Sequence, residues 1–240
     1  LFICFLLVGC SSNNPDAEIN FDRYSALPLD AVKITPETDL HPPLLHSDEY
    51  EQPVPLALIN TKGAEDSPFV YNDEFYFFFT PDVRIPVEKQ VIDGVTGIYL
   101  SKKVNGVWQE PERVVLQDKG KLALDGCQFV NENEIWVCSA REGYTGLHWV
   151  KAIKDGENWK NWVVEDFPSE LDIGELHISG NKIYYHSARE GGLGGLDIWM
   201  TEKVGNSFSP PVNLNVINSE GNEGWPYISL FGDQLWFNRE

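Results

Sequence analysis

Acids recur along the chain at near-regular intervals, each just ahead of an apolar strand-like run: Glu65 or Asp66, Asp125, Glu175 (with Asp172 as its alternative) and Glu223. Repeated carboxyls support two kinds of chemistry. Brought together, they raise one another's proton affinity, bind cations, or act on a glycosidic bond, which needs two carboxyls about 5 Å or about 6.5–9.5 Å apart. Kept apart, each accepts hydrogen bonds from backbone N–H groups of a neighbouring turn and recurs because the structural unit recurs. Other reactive groups are sparser. His148, His177 and His186 lie on separate strand-like runs with no Cys or acid at metal-ligand spacing, so neither a zinc site nor any other cofactor is expected. No Gly-x-Ser-x-Gly elbow occurs. The run Gly191-Gly-Leu-Gly-Gly195 has strands on both flanks, whereas a phosphate cradle needs a strand before and a helix after. It reads as a hairpin connection held by Asp197 through backbone bonds.

The elements that position these acids form an internal repeat. Residues 65–80, 125–139, 175–187 and 223–238 share one pattern: an acid, a short apolar strand, a polar turn and an aromatic strand. Their leading acids are roughly 50–60 residues apart, a spacing found in propeller blades. The second half repeats too, in 97–108, 146–159 and 196–208, each an apolar strand, a Gly/Asn turn and an aromatic opening the next strand. Two hairpins make a four-stranded antiparallel sheet, and sheets apolar on both faces must stack. The expected fold is therefore all-β, a β-propeller of four-stranded antiparallel blades. The first strand of each blade would line a central channel, and the four carboxyls would converge at its mouth. Residues 59–216 supply three full units and 217–240 the first half of a fourth. Residues 53–60 read like 211–218, so they are expected as an outermost strand that joins the last blade. The chain is then an incomplete propeller of about five or six blades.

Composition agrees with this class. Of 240 residues, 37 are acidic and 18 basic, a formal net charge of −19, which argues against a nucleic-acid partner. Eight Trp, nine Tyr and thirteen Phe against one Met favour β-structure over a helical bundle. The chain opens on an apolar run, Leu1 to Gly9, too short to span a bilayer. Leu7-Val-Gly-Cys10, followed by the polar Ser11-Ser-Asn-Asn-Pro-Asp16, resembles a bacterial lipobox. That resemblance implies a signal remnant over 1–10, a lipidated Cys10, a tether and N-terminal extension over 11–52, and a propeller over 53–240. Ser11 after the cysteine then implies the outer membrane, facing the periplasm or the cell surface. Of the remaining cysteines, a hairpin turning at Glu132-Asn133 sets Cys127 directly opposite Cys138. A disulfide between them and two free thiols are the alternatives.

Ser187-Ala-Arg189, the Gly191-Gly-Leu-Gly-Gly-Leu-Asp-Ile198 loop and Asn218-Ser-Glu-Gly-Asn-Glu-Gly-Trp-Pro226 together resemble the TolB-like β-propeller repeat of bacterial envelope proteins. The match is close over 187–240 and looser over 59–186, where Gln128 replaces the entry proline. The resemblance implies a non-enzymatic module that binds or scaffolds another envelope protein or a peptidoglycan-associated complex, touching the membrane through its lipid anchor alone. Its contact face would comprise Glu65, Asp125, Glu175, Glu223, Arg189, Asp197 and Trp225, with loops 141–146 and 188–196. A second resemblance, to five-bladed arabinan-degrading glycosidases, rests on Asp66-Ser-Pro68, Asp125-Gly126 and Glu223-Gly-Trp-Pro226. It would make Asp66, Asp125 and Glu223 catalytic on a plant- or algal-type polysaccharide. Against it, the acid recurs in every unit, and Asp66-Ser-Pro departs by one residue from that family's Asp-Pro. Trp108, Trp159 and Trp162 read as core between units.

Overall fold

Strands such as Glu74-Phe-Tyr-Phe-Phe-Phe-Thr80 are apolar on both faces, so they are stable only when covered on both. The computed structural model describes residues 22–40, 47–165, 167, 173–229 and 231–239, and in it this strand packs one face on the second sheet and the other on Ile59, Leu27 and Leu56. The fold is all-β with antiparallel sheets. In the first sheet, β1 (Ala64–Tyr71), β2 (Glu74–Thr80) and β3 (Gly97–Val104) run in order, with β4 (Val107–Trp108) and β5 (Glu112–Arg113) both on the free edge of β3. The second runs β6 (Ala123–Asn131), β7 (Glu134–Arg141), β8 (His148–Asp155), β9 (Asn158–Val164). The third repeats the first: β10 (Ile173–Ser179), β11 (Lys182–Ser187), β12 (Asp197–Val204), then β13 (Ser207–Phe208) and β14 (Val212–Asn213) on β12. The fourth is the hairpin β15 (Glu223–Ile228) and β16 (Leu235–Arg239).

Side-chain alternation decides the stacking. On β7, Ile135 and Val137 join Tyr76, Ile98 and Val150 in one core cluster, while Trp136 and Cys138 join Leu176, Ile183, Tyr185 and Trp199 in another. The second sheet is thus sandwiched between the first and the third. The first strands β1, β6, β10 and β15 are successive neighbours.

The tether expected over 11–52 is docked on the first sheet over part of its described length. Arg23, 3% exposed, donates to the carbonyls of Leu58 and Ile59 and lies over the rings of Phe77, Phe79 and Tyr99 at 5.4–5.5 Å. Leu27 packs on the same cluster. Cys10 and the lipobox-like run fall outside the described residues. Residues 53–60 form no strand and join no described sheet, and they run into a turn instead. Their likeness to 211–218 appears as a shared turn, with Asn60 N–H donating to Leu56 O and Asn218 N–H to Leu214 O.

The glycine loop joins the third sheet to the fourth. Asp197, 1% exposed, accepts the Leu193 and Gly194 backbone N–H groups at 2.8 and 3.4 Å. Gly195 N–H donates to Gly221 O, and Leu196 N–H to the Asn222 side chain. A Cβ on Gly194 would collide with the backbone oxygens of Gly221 and Ser219, which cannot swing away. Gly194→Ala should therefore cost about 1–3 kcal/mol of stability, as overpacking does, read as a lower urea midpoint.

Candidate functional site

Each first strand carries a one-residue bulge at the same place. Pairing with the second strand slips between Asp66 and Phe69, Gly126 and Phe129, Gly174 and Leu176, and Gly224 and Tyr227. The residues at the bulge are Ser67, Cys127, Glu175 and Trp225, all with positive φ (48°, 52°, 33° and 53°). For side chains of this kind such a backbone is uncommon, and bulges re-aim the side chains they carry. Its recurrence in all four sheets marks a built feature of the repeat.

The bulge corrects the alignment of the acids. Asp125 lies opposite Ser139, and the residue in that place on the third sheet is Ile173, opposite Ser187. Glu175 is therefore the counterpart of Ser67, Cys127 and Trp225, not of Glu65, Asp125 and Glu223.

The three true leading acids are each buttressed by an arginine and a hydroxyl, with Arg141 and Arg239 from the same sheet as their acid and Arg23 from the N-terminal segment. Asp125, 1% exposed, accepts from Ser139 Oγ at 2.6 Å and from Arg141 at 2.9 Å. Glu223, fully buried, accepts from the backbone N–H and hydroxyl of Ser219 and from Arg239 Nε. Burial pushes its carboxyl up, but these hydrogen bonds outweigh it and hold the group below the ordinary range. Glu65 accepts from the backbone N–H and hydroxyl of Thr61, and Arg23 lies 3.9 Å away. The shared pattern Asn-x-x-Gly-x-Glu-x-x-Pro at Asn60–Pro68 and Asn218–Pro226 would have disclosed this buttress from sequence. Among the proposed glycosidase residues, only Asp66 is exposed.

What does come together is the row of bulge residues. Ser67 Oγ donates to Glu175 Oε1 at 2.6 Å, across 108 residues of sequence. The Gln128 amide donates to Ser67 O, leaving its own Oε1 buried with no hydrogen-bond partner. The Cys127 thiol is within hydrogen-bonding reach of the Cys138 thiol and the Glu175 carboxyl. Ser67, Cys127 and Glu175 are partly exposed, and Asp66 stands beside them on the rim. Burial pushes the Glu175 carboxyl up and the charge of Asp66 adds to this, against the Ser67 hydrogen bond.

Beneath this row, the equivalent side chains four positions past the leading acids pack ring on ring. Phe69–Phe129, Phe129–His177 and His177–Tyr227 have centroids 5.2, 4.7 and 4.5 Å apart. These contacts link each first strand to the next. His177 Nδ1 accepts the Ile228 N–H at 3.3 Å, and His186 Nδ1 accepts the Trp225 N–H at 3.0 Å. His186 is wedged against Gly174 and Gly224, where a Cβ on Gly174 would strike its ring.

Cys127 and Cys138 are free thiols. Cys127 is not directly opposite Cys138 as expected, because the bulge sets Gly126 there. The Cys138 hydrogen bond, burial and the Glu175 charge hold the Cys127 thiol well above its usual range, so it stays protonated and weakly nucleophilic. Alkylation in denaturant without reductant, mapped by mass spectrometry, should modify both cysteines; a peptide linking them would contradict this.

The remaining expected contact residues are placed as follows. Trp225 is 46% exposed with its ring 5.3 Å from His186. Arg189 lies over the Trp199 ring of its own sheet at 4.8 Å, and Asp197 holds the glycine loop, so neither presents a free recognition group. A cavity of about 1070 Å³ lies elsewhere, between residues 28–39, 50–55 and the first sheet. Two of the cations facing it are engaged locally, Lys33 with Asn60 O and Arg84 with Asp30 and Asp82. Among the described residues no group of three or more His, Cys, Asp or Glu could hold a metal ion.

No family model, no curated protein and no solved structure matches the chain.

Proposed function

We propose that the chain is a TolB-like β-propeller of the bacterial envelope that holds a protein partner at the row of bulge residues. The four sheets act as its blades, with the first strands innermost. Two features support the propeller reading: the identical bulge in every first strand and the side-by-side order of those strands. Lipidation at Cys10 would tether the module to the outer membrane, with a partner that is another envelope protein or a peptidoglycan-associated complex.

One observation carries the choice of binding over turnover. Asp125 and Glu223, the second and third members of the glycosidase set, are 1% and 0% exposed and paired with arginines. A hydrolytic carboxyl must touch the sugar. The groups that do meet solvent are a hydroxyl, a protonated thiol, two carboxyls and an indole, which suit recognition.

The test is site-specific photocrosslinking in cells. A photoreactive residue at Trp225 should give a discrete adduct, while one at Val163, an exposed position on β9, should give none. Equal adducts from both positions, or none from Trp225, would overturn the docking face. Polysaccharide hydrolysis that disappears in Asp125→Asn but not in Glu175→Gln would replace it with the glycosidase reading.

A further inference from the structure

We propose that the bulge row receives the side-chain cation of a lysine or arginine from the partner, with Glu175 and Asp66 as counter-charges and Gln128 Oε1 as a further acceptor. This rests on the docking reading above and assigns the chemistry of what docks.

The argument starts from how the chain treats its other acids. Glu65 has Arg23, Asp125 has Arg141 and Glu223 has Arg239. Neither Asp66 nor Glu175 makes an ion pair with a described Lys or Arg, although Glu175 is partly buried and feels the Asp66 charge. Two carboxyls held close without a cation repel, and a positive group placed between them removes that cost. The surroundings add acceptors rather than donors. Gln128 is 3% exposed, its amide nitrogen is committed to Ser67 O, and its oxygen is buried with no donor. A buried acceptor left unmatched costs free energy that an incoming N–H would recover.

A side-chain cation fits this set better than a metal ion. A calcium ion takes six to eight oxygens, whereas two carboxyls and one amide match the three N–H donors of an ammonium or the fork of a guanidinium. The protonated Cys127 thiol adds no anionic ligand. Trp225, the bulge residue of the fourth sheet, offers an exposed ring on which a cation can rest. A chain of net charge −19 also draws basic partners from a distance.

The probes are three blocked tripeptides, acetyl-Gly-Lys-Gly-amide, acetyl-Gly-Arg-Gly-amide and acetyl-Gly-Gln-Gly-amide, titrated into the isotopically labelled full chain and read by backbone amide shifts. The lysine and arginine peptides should shift the amides of Ser67, Gln128 and Glu175, and the glutamine peptide should leave them in place. Both Glu175→Gln and Asp66→Asn should weaken binding at least ten-fold. Asp66 lies on the rim, so its variant keeps the test valid if Glu175→Gln fails to fold. Equal shifts from all three peptides, or shifts unchanged in both variants, would overturn the cation assignment. The Trp225 crosslink would then report separately whether the docking face survives.

Discussion

Replacing Asp125 by Ala is expected to destabilise the protein by about 3–5 kcal/mol, because it leaves the Arg141 guanidinium buried without its counter-charge. Arg141 is 4% exposed by side chain, and its remaining described contacts are the Leu116 carbonyl at 3.3 Å and the Trp162 ring at 4.5 Å. Neither compensates a full charge. In thermal unfolding the loss should lower the midpoint by about 10 °C for a chain of this size. The double variant Asp125→Ala/Arg141→Met removes both charges and should cost clearly less than the two single changes summed, since residues in direct contact are not additive. An additive double variant would mean that the pair does not interact, and the view of the leading acids as internal struts would fall with it.

The second large effect is on acid stability. Burial pushes His177 and His186 down to about 4, from an ordinary value of 6.5. Between these values the unfolded chain binds a proton that the folded chain refuses. Stability is therefore full above about pH 6.5 and falls as the pH drops toward 4. At 1.36 kcal/mol per pH unit, His186, only 7% exposed, contributes up to about 3 kcal/mol, and the half-buried His177 less. The depressed Glu223 carboxyl contributes in the same direction at lower pH, whereas the raised Glu175 carboxyl opposes it. The histidine part is isolated by His177→Asn/His186→Asn, whose Oδ1 atoms can still accept the Ile228 and Trp225 N–H groups. Urea unfolding between pH 7 and 4 should show a flatter loss of stability in the double variant. Parallel curves would contradict the assignment.

The repeat was legible in the sequence because strand and turn signals are local. The hairpins at Asn72-Asp73, Glu132-Asn133 and Gly180-Asn181 fall where polar turn residues interrupt aromatic runs. The Asp197 clamp on the glycine loop follows from the same local reasoning. The bulge was not legible, since one extra residue shifts the register without changing the composition of the strand. That residue moved Cys127 out of line with Cys138, whereas the offset of Glu175 was countable: it stands two residues nearer its turn than Glu65 and Asp125 stand to theirs. Nor could local pattern assign Arg23. It stands outside the repeat, and its partners Leu58, Ile59 and Phe77 are 35 to 54 residues away in sequence. The arginine partners of two acids do repeat, since Arg141 and Arg239 each stand 16 residues past Asp125 and Glu223; only the partner of Glu65, Arg23, gives no such signal.

Carboxyl footprinting tests the central claim most directly, namely that the bulge row faces outward while the repeated acids are internal. The native protein is treated with a carbodiimide and glycine ethyl ester, and each modified carboxyl is located by mass spectrometry. Asp66 should label readily and Glu175 more slowly, while Asp125 and Glu223 should label only after unfolding. Labelling of Asp125 or Glu223 in the native state as fast as Asp66 would contradict the account and return the repeated acids to solvent.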